Sequence, residues 1–154
     1  MITQNSVASE EVTIQAPIDV VWAVLIDFQH YHLWNEFCPG IEADLAIGSP
    51  VAMQVDMGNG PQAQTEYITR LEPPRVITWS MENKPGDPIH ADRSQYLTPI
   101  DDSSCTYLTV DEFSGEAMQP MLEAFGPEME NGFNLCARGL KKRAEAIYRD
   151  MNKA

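Results

Sequence analysis

The sequence predicts an α+β fold in which a curved antiparallel sheet of seven strands wraps around a long C-terminal helix, with two short helices between strands 1 and 2. Turn-forming residues divide the middle of the chain into runs of about 6–11 residues, as antiparallel strands require. The last third changes to apolar residues at steps of three and four, which marks one face of a helix. A sheet with one hydrated face must cover its other face, and only this helix is long enough to do so.

The first strand and the two short helices are predicted in the N-terminal part of the chain. Ser9–Gln15 alternates apolar and polar residues, as a half-buried strand does. Pro17 ends this strand and suits the first turn of a helix predicted over Pro17–Ile26. Asp27 is expected to cap a second short helix, Phe28–Trp34.

Six further strands are predicted between clusters of Pro, Gly, Asn and Asp. They are placed near Ile41–Leu45, Val51–Met57, Gln62–Leu71, Val76–Glu82, Ile89–Thr98 and Cys105–Phe113. The apolar stripe of the final helix runs from Leu122 to Met151. Gly126-Pro127 interrupts it, which predicts a kink or a short lead-in helix before a main helix from Pro127 to about Asp150.

Composition narrows the classes of partner. A length of 154 residues suits a single domain over residues 1–154, and 44% hydrophobic residues can form a core. The formal charge of −13 repels phosphate backbones, so no nucleic-acid partner is expected. No apolar run approaches the roughly 20 residues of a bilayer span, so no stable membrane insertion is expected. The oligomeric state is left open.

Cysteine spacing and the N-terminus indicate a cytoplasmic protein. Cys38, Cys105 and Cys136 are an odd number of widely spaced cysteines, which fits reduced core thiols better than disulfides or a zinc site. The first residues lack the basic and apolar regions of a signal peptide. Neither a metal nor a cofactor is expected.

The few basic residues cluster in the predicted last helix, at Arg138, Lys141, Lys142, Arg143 and Arg149. Cations near the end of a helix interact favourably with its dipole, and this structural role is the preferred interpretation. An anion-binding patch is the alternative.

Four segments carry motifs that occur together in one known superfamily. They are Ile14-Gln15-Ala16-Pro17 with Val21-Trp22; Asp27 and Tyr31 with Trp34-Asn35-Glu36-Phe37; Glu72-Pro73-Pro74-Arg75 with Ile77 and Trp79; and Asp111-Glu112-Phe113-Ser114-Gly115 with Pro120. In this order they resemble the SRPBCC superfamily, which includes START domains, pollen-allergen-like proteins and a polyketide cyclase/dehydrase-like branch. The resemblance implies the helix-grip fold, with a cavity between sheet and helix that accepts hydrophobic or amphipathic molecules.

Strand alternation predicts which side chains line this cavity. It turns Val51, Met53, Val55 and Met57 inward, and likewise Ile77, Trp79 and Met81; Arg93, Gln95 and Leu97; and Leu108, Val110 and Glu112. The candidate ligand-binding residues are Trp34, Met53, Val55, Trp79, Met81, Arg93, Gln95, Glu112, Phe125, Met129 and Phe133.

Two of these assignments have alternatives. An enclosed Arg93 and Glu112 would need partners. They form a buried ion pair that fixes the sheet, or Glu112 lies near the start of the final helix, or the two are a polar anchor for the head group of a ligand. A bulge would reverse the assignment and turn Tyr96 inward instead. Trp34 is predicted either at the mouth of the pocket or as an anchor of the second short helix.

Three functions are consistent with these features. The first is binding of a hydrophobic or amphipathic small molecule, a lipid or an aromatic, polyketide-like metabolite. The second is a polyketide cyclase or dehydratase-like enzyme in which Arg93, Glu112 and His90 supply acid/base groups. The third is a protein-interaction domain. No sequence motif identifies catalytic residues.

Overall fold

The computed structural model describes residues 1–82 and 84–153. The elements follow the order β1 (Ser6–Ala8), β2 (Val12–Ile14), α1 (Ile18–Leu25), a 3₁₀ helix (Phe28–Leu33), β3 (Gly40–Ala43), β4 (Pro50–Asp56), β5 (Pro61–Glu72), β6 (Val76–Ser80), β7 (His90–Asp101), β8 (Ser104–Ser114) and α2 (Met118–Met151). The predicted α+β helix-grip fold is confirmed. In the described part of the chain, no helix is long and apolar enough to cross a membrane.

All strands belong to one antiparallel sheet. Neighbouring strands follow the order β1-β8-β7-β6-β5-β4-β3, and β2 also pairs with β8. From β3 to β8 each strand therefore lies beside the next one in the chain, as the turn signals predicted. The N-terminal strands return to cover the free edge of β8.

The predicted first strand is two short strands instead of one. Ala8 pairs with Val110 and Val12 pairs with Tyr107, so three residues of the N-terminal segment lie opposite two of β8. The extra residue interrupts the pairing as a β-bulge does. Ser9 lies at this interruption, where its Oγ accepts a hydrogen bond from the Thr109 backbone N–H at 3.1 Å.

The two short helices lie where they were predicted, but the second is a 3₁₀ helix. Its N-terminal neighbour Asp27 makes no capping hydrogen bond. The Asp27 carboxylate instead lies 2.8 Å from Nδ1 of His30, so the side chain that was expected to cap the backbone is engaged by the imidazole.

The final helix is longer than predicted. α2 spans 34 residues and contains Pro127, so the expected lead-in and main helices are one element that begins at Met118. Pro127 removes the N–H that would bond the Glu123 carbonyl. Both residues are exposed, and water can satisfy the freed carbonyl, which explains why the helix continues.

The inward faces of β4, β6 and β7 agree with the predicted alternation, because their assigned side chains are buried or half-buried. The prediction for β8 is wrong. Asp111 lies directly opposite Arg93, and Thr109 lies opposite Gln95. Directly opposite residues in an antiparallel pair project to the same side of the sheet, so Thr109 and Asp111 face inward. Glu112 faces the other side and is exposed.

Candidate ligand site on the concave face

β7 places Arg93 on the concave face of the sheet, against α2. The side chain is 5% exposed. Its Nε donates a hydrogen bond to Oγ1 of Thr109 at 3.1 Å, and its Nη2 donates to Sγ of Cys136 at 3.8 Å. The guanidinium carbon lies 4.5 Å from the ring centroid of Phe133 and 5.1 Å from that of Phe37. The cation is therefore enclosed mainly by aromatic rings.

Arg93 has no carboxylate partner in the part of the chain that the structure describes. In residues 1–82 and 84–153, no carboxylate oxygen lies within 4.0 Å of its guanidinium nitrogens. The predicted pair with Glu112 does not form, because Glu112 lies on the convex face. Asp111 lies opposite on β8, yet its Oδ1 is enclosed and has no hydrogen-bond partner among the described residues.

Burial shifts the pKa of two carboxyl groups on this face. The pKa of Asp111 is raised to about 8, mainly by burial and also by the Glu66 carboxylate, while Arg93 opposes the shift. Burial also raises the pKa of Glu66, although a hydrogen bond from Nε2 of Gln64, 2.9 Å from Oε2, lowers it in part. At neutral pH Asp111 is consequently mostly uncharged, and the charge of Arg93 is not balanced by it.

Two further polar atoms on this face lack partners within the described chain, Nε1 of Trp79 and Nε2 of Gln95. The amide oxygen of Gln95 accepts a hydrogen bond from the Tyr107 hydroxyl at 2.5 Å, which fixes the direction of the unpaired amide nitrogen. Buried polar atoms are nearly always hydrogen-bonded. Together with Oδ1 of Asp111, these atoms mark a place where a bound molecule or water can make hydrogen bonds.

The segment after the 3₁₀ helix packs against α2 beside Arg93. The Phe37 and Phe133 rings meet edge to face, with centroids 5.2 Å apart. Two helix glycines allow this approach, since a Cβ on Gly132 would overlap the Phe37 ring and a Cβ on Gly139 would overlap the Trp34 carbonyl oxygen. The segment thus covers the concave face from this side.

The outer side of the same segment borders a groove of about 700 Å³ against α2. Trp34, Leu135 and Gly139 contribute to its walls together with three bases of the C-terminal cluster, Arg138, Lys142 and Arg143. Arg138 is paired with Glu10, with Nε and Oε1 2.6 Å apart. Arg138 therefore forms a structural ion pair, and it also lines a basic groove together with Lys142 and Arg143.

The structure brings most of the predicted ligand-binding residues into the core, although their role stays a prediction. The buried ones are Trp34, Met53, Val55, Trp79, Arg93, Gln95 and Phe133. Met81 and Met129 are half-buried. Phe125 is 54% exposed, so its placement in the interior is wrong. Successive residues of a helix are rotated by about 100° around its axis, which places Phe125 at the edge of the face of α2 whose side chains are buried.

Asp111, Glu66 and Tyr107 also lie on the concave face, but they were not predicted as site residues from the sequence. Glu66 lies two residues before the fully buried Ile68 on β5. Strand alternation from Ile68 could therefore have predicted that Glu66 faces inward. Tyr107, Asp111 and Phe113 also alternate, but the apolar Leu108 and Val110 between them pointed to the opposite face. Only the register with β7 distinguishes the two assignments.

The histidines lie away from Arg93. His90 is on the convex side of β7, where its Nε2 lies 3.0 Å from Oδ1 of Asp92 beside a cavity of about 540 Å³. It therefore does not supply an acid/base group to the concave face as predicted. Among the described residues, no three His, Cys, Asp or Glu side chains are grouped so that they could hold a metal ion.

Comparison with known families now identifies the chain. The family described as polyketide cyclase / dehydrase and lipid transport matches residues 7–145. The chain belongs to this family. Its membership agrees with the motif resemblance to the polyketide cyclase/dehydrase-like branch of the SRPBCC superfamily. No curated protein matches the sequence of this family member.

Solved structures share the fold of this family member. The Zhui aromatase/cyclase from Streptomyces sp. R1128 superposes with a TM-score of 0.70 at 22% identity, over 91% of this chain and 93% of the other. A START superfamily protein from Mycobacterium smegmatis gives 0.68 at 16% identity, over 93% and 99%. Norcoclaurine synthase from Thalictrum flavum gives 0.65 at 15% identity, over 89% and 84%. At these identities the likeness establishes the fold alone.

Proposed function

We propose that this protein binds a hydrophobic or amphipathic small molecule, a lipid or an aromatic, polyketide-like metabolite, between the concave face of the sheet and α2. The observation that carries the proposal is a set of enclosed polar atoms of Trp79, Gln95 and Asp111 around Arg93 that have no hydrogen-bond partner among the described residues. Sites for small molecules combine apolar walls with a few polar groups that orient the ligand.

The walls of the proposed site have the required apolar character. Met53 and Phe133 are buried, while Met81 and Met129 are half-buried, so their flexible side chains can adapt to a ligand. The norcoclaurine synthase structure contains dopamine and hydroxybenzaldehyde. That protein with the same fold therefore accommodates aromatic molecules, which supports an aromatic ligand for this one.

Native mass spectrometry tests the proposal directly. Protein purified from its own host is compared under native and denaturing conditions, and a discrete mass released on denaturation is expected. Asp111→Asn should change the amount retained, because it alters one of the unpartnered atoms. Glu112→Gln is the matched control on the exposed side of the same strand. Equal retention in both variants, or a released mass in neither, would argue against this site.

A second candidate is an enzyme of the cyclase or dehydratase type that uses the same face. The favouring observation is Asp111, whose pKa is raised to about 8 by burial, so that it can exchange a proton near neutral pH. Asp111 takes the place of the predicted Glu112 and His90. Incubation with host metabolite extracts should show a species losing the mass of water with the wild type but not with Asp111→Asn. A loss that persists in Asp111→Asn would remove Asp111 from the mechanism.

Two coarser expectations are also part of the proposal. We infer that residues 1–154 form one domain, supported by a family match that spans residues 7–145. We also place the protein in the cytoplasm, supported by three buried free thiols at Cys38, Cys105 and Cys136.

A further inference from the structure

We propose that the bound molecule carries an anionic oxygen group, such as a carboxylate or an ionised phenol, and that this group pairs with Arg93. The inference rests on the proposed function and specifies the chemical class of the ligand. It follows from the charge balance of the concave face and from the hydrogen-bonding groups left unused there.

The positive charge of Arg93 is not balanced by the described residues around it. Arg93 is enclosed, and no described carboxylate lies within 4.0 Å of its guanidinium. An enclosed charge without a partner is costly because it has lost its hydration. The rings of Phe133 and Phe37 offset part of this cost through their π-faces, but they carry no negative charge.

Neither neighbouring carboxyl group, Asp111 or Glu66, forms an ion pair with Arg93. Asp111 is the residue directly opposite, yet the guanidinium donates to Thr109 and Cys136 instead. Burial raises the pKa of both Asp111 and Glu66, so their ionised forms are disfavoured. A ligand anion is therefore the charge that the site lacks.

The unused hydrogen-bonding groups are mostly donors. Nη1 of Arg93 has no hydrogen-bond partner within the described residues, where only Nε and Nη2 are engaged. Nε1 of Trp79 and Nε2 of Gln95 are donors without acceptors. Trp79 lies directly opposite Arg93 on the neighbouring strand β6, and Gln95 lies two residues after Arg93 on β7. All three side chains are therefore on the same face of the sheet. Such a set favours a group that only accepts hydrogen bonds, as an ionised oxygen group does.

The test compares two fluorescent probes with one ring system. 1-Anilinonaphthalene-8-sulfonate is anionic, and N-phenyl-1-naphthylamine is the same molecule without the sulfonate. We expect the anionic probe to bind the wild type about tenfold more tightly, as one charge-assisted interaction provides. The preference should disappear in Arg93→Met, which keeps an unbranched apolar stem without the charge.

Lys142→Gln is the control for surface charge, since Lys142 lines the basic groove outside the concave face. Lys142→Gln should still bind the anionic probe more tightly than the neutral one. Loss of the preference in Lys142→Gln with retention in Arg93→Met would overturn the inference, because the anion would then be held at the groove. Equal affinity of both probes for the wild type would also overturn it, while leaving small-molecule binding intact. Failure of both probes to bind would contradict the proposed function itself.

A second measurement needs no variant and covers the case in which Arg93→Met does not fold. Dodecanoate and dodecanol are compared as competitors for bound N-phenyl-1-naphthylamine on the wild type. Dodecanoate is expected to displace it at about a tenth of the dodecanol concentration. Displacement at equal concentrations would refute the preference for an anion.

Discussion

Arg93 and Asp111 lie directly opposite each other on neighbouring strands but form no ion pair. Among residues 1–82 and 84–153, Arg93 therefore has no carboxylate partner and Oδ1 of Asp111 has no hydrogen-bond donor. Desolvation of a lone cation costs several kcal/mol. The cation–π contacts with Phe133 and Phe37 return about 0.5–2 kcal/mol each. Such an arrangement costs stability, which is common where a protein keeps groups available for a ligand.

Replacing Asp111 by Asn should make the free energy of unfolding less dependent on pH. The unfolded carboxyl has a pKa near about 3.9, whereas burial raises the folded value to about 8. Between these values the folded protein holds a proton that the unfolded chain has released, so the contribution of Asp111 to stability is fully present below about pH 3.9 and is lost as pH rises through about 8. The fall is at most about 1.4 kcal/mol per pH unit.

Urea unfolding between about pH 5 and pH 8 checks this sign. The stability of Asp111→Asn relative to the wild type should increase steadily with pH. Glu112→Gln, on the exposed face, should show no such trend. A difference between Asp111→Asn and the wild type that is constant across this range would mean that Asp111 is ionised in the folded protein.

At the scale of elements, the contact between α2 and the segment after the 3₁₀ helix depends on glycine. A Cβ at Gly139 would overlap the carbonyl oxygen of Trp34, which belongs to the backbone and cannot rotate away. Only glycine at position 139 therefore allows the helix and this segment to approach so closely.

Gly139→Ala should destabilise the protein by about 1–3 kcal/mol. Alanine favours a helix over glycine by about 1 kcal/mol, but the overlap with Trp34 outweighs this gain. Gly126→Ala is the matched control, because its added Cβ would meet only the Ile2 side chain at 3.5 Å. Thermal or urea unfolding measures both. An increase in stability for Gly139→Ala would show that the segment moves away from α2 without cost.

Pro127 gives a second prediction about α2. It lies well inside the helix and is exposed, so Pro127→Ala restores a backbone hydrogen bond without changing the core. The free energy of unfolding should increase by about 1–3 kcal/mol in Pro127→Ala. Pro120 lies in the first turn, where the N–H has no helical acceptor, and Pro120→Ala should change stability little. Equal effects of the two substitutions would contradict this account.

The whole molecule carries a formal charge of −13, while the inferred ligand is an anion. Long-range repulsion should then slow the approach of the ligand, and the enclosed Arg93 acts only at short range. The two effects differ in their response to salt, because buried interactions are screened much less than surface ones.

Raising the ionic strength from about 0.01 M to about 0.1 M shortens the Debye length from about 30 Å to about 10 Å. The association rate of 1-anilinonaphthalene-8-sulfonate, measured by stopped-flow fluorescence, should therefore rise with salt. The rate of the neutral N-phenyl-1-naphthylamine should stay constant and serves as the control. A decrease for the anionic probe would mean that the basic groove beside Trp34 guides its approach.

The sequence by itself determined the order of the elements and, apart from the split first strand, the 3₁₀ helix and the start of α2, their type and extent. The alternation in β4, the apolar steps of α2 and the Pro- and Gly-rich turns are local properties of the backbone, so they can be seen without knowing which strands pair. The motifs that run from Ile14 to Pro120 led to the correct superfamily for the same reason, since they lie at the joints between these elements.

Only the tertiary structure decided which side of β8 faces inward and what surrounds Arg93. Both depend on the register between β7 and β8, and a shift of one residue exchanges Asp111 for Glu112 on the concave face. The apolar Leu108 and Val110 favoured the wrong side because both faces of β8 contain apolar residues. The surroundings of Arg93 are likewise set by residues distant in sequence, such as its hydrogen-bond partners Thr109 and Cys136, which no local pattern brings together.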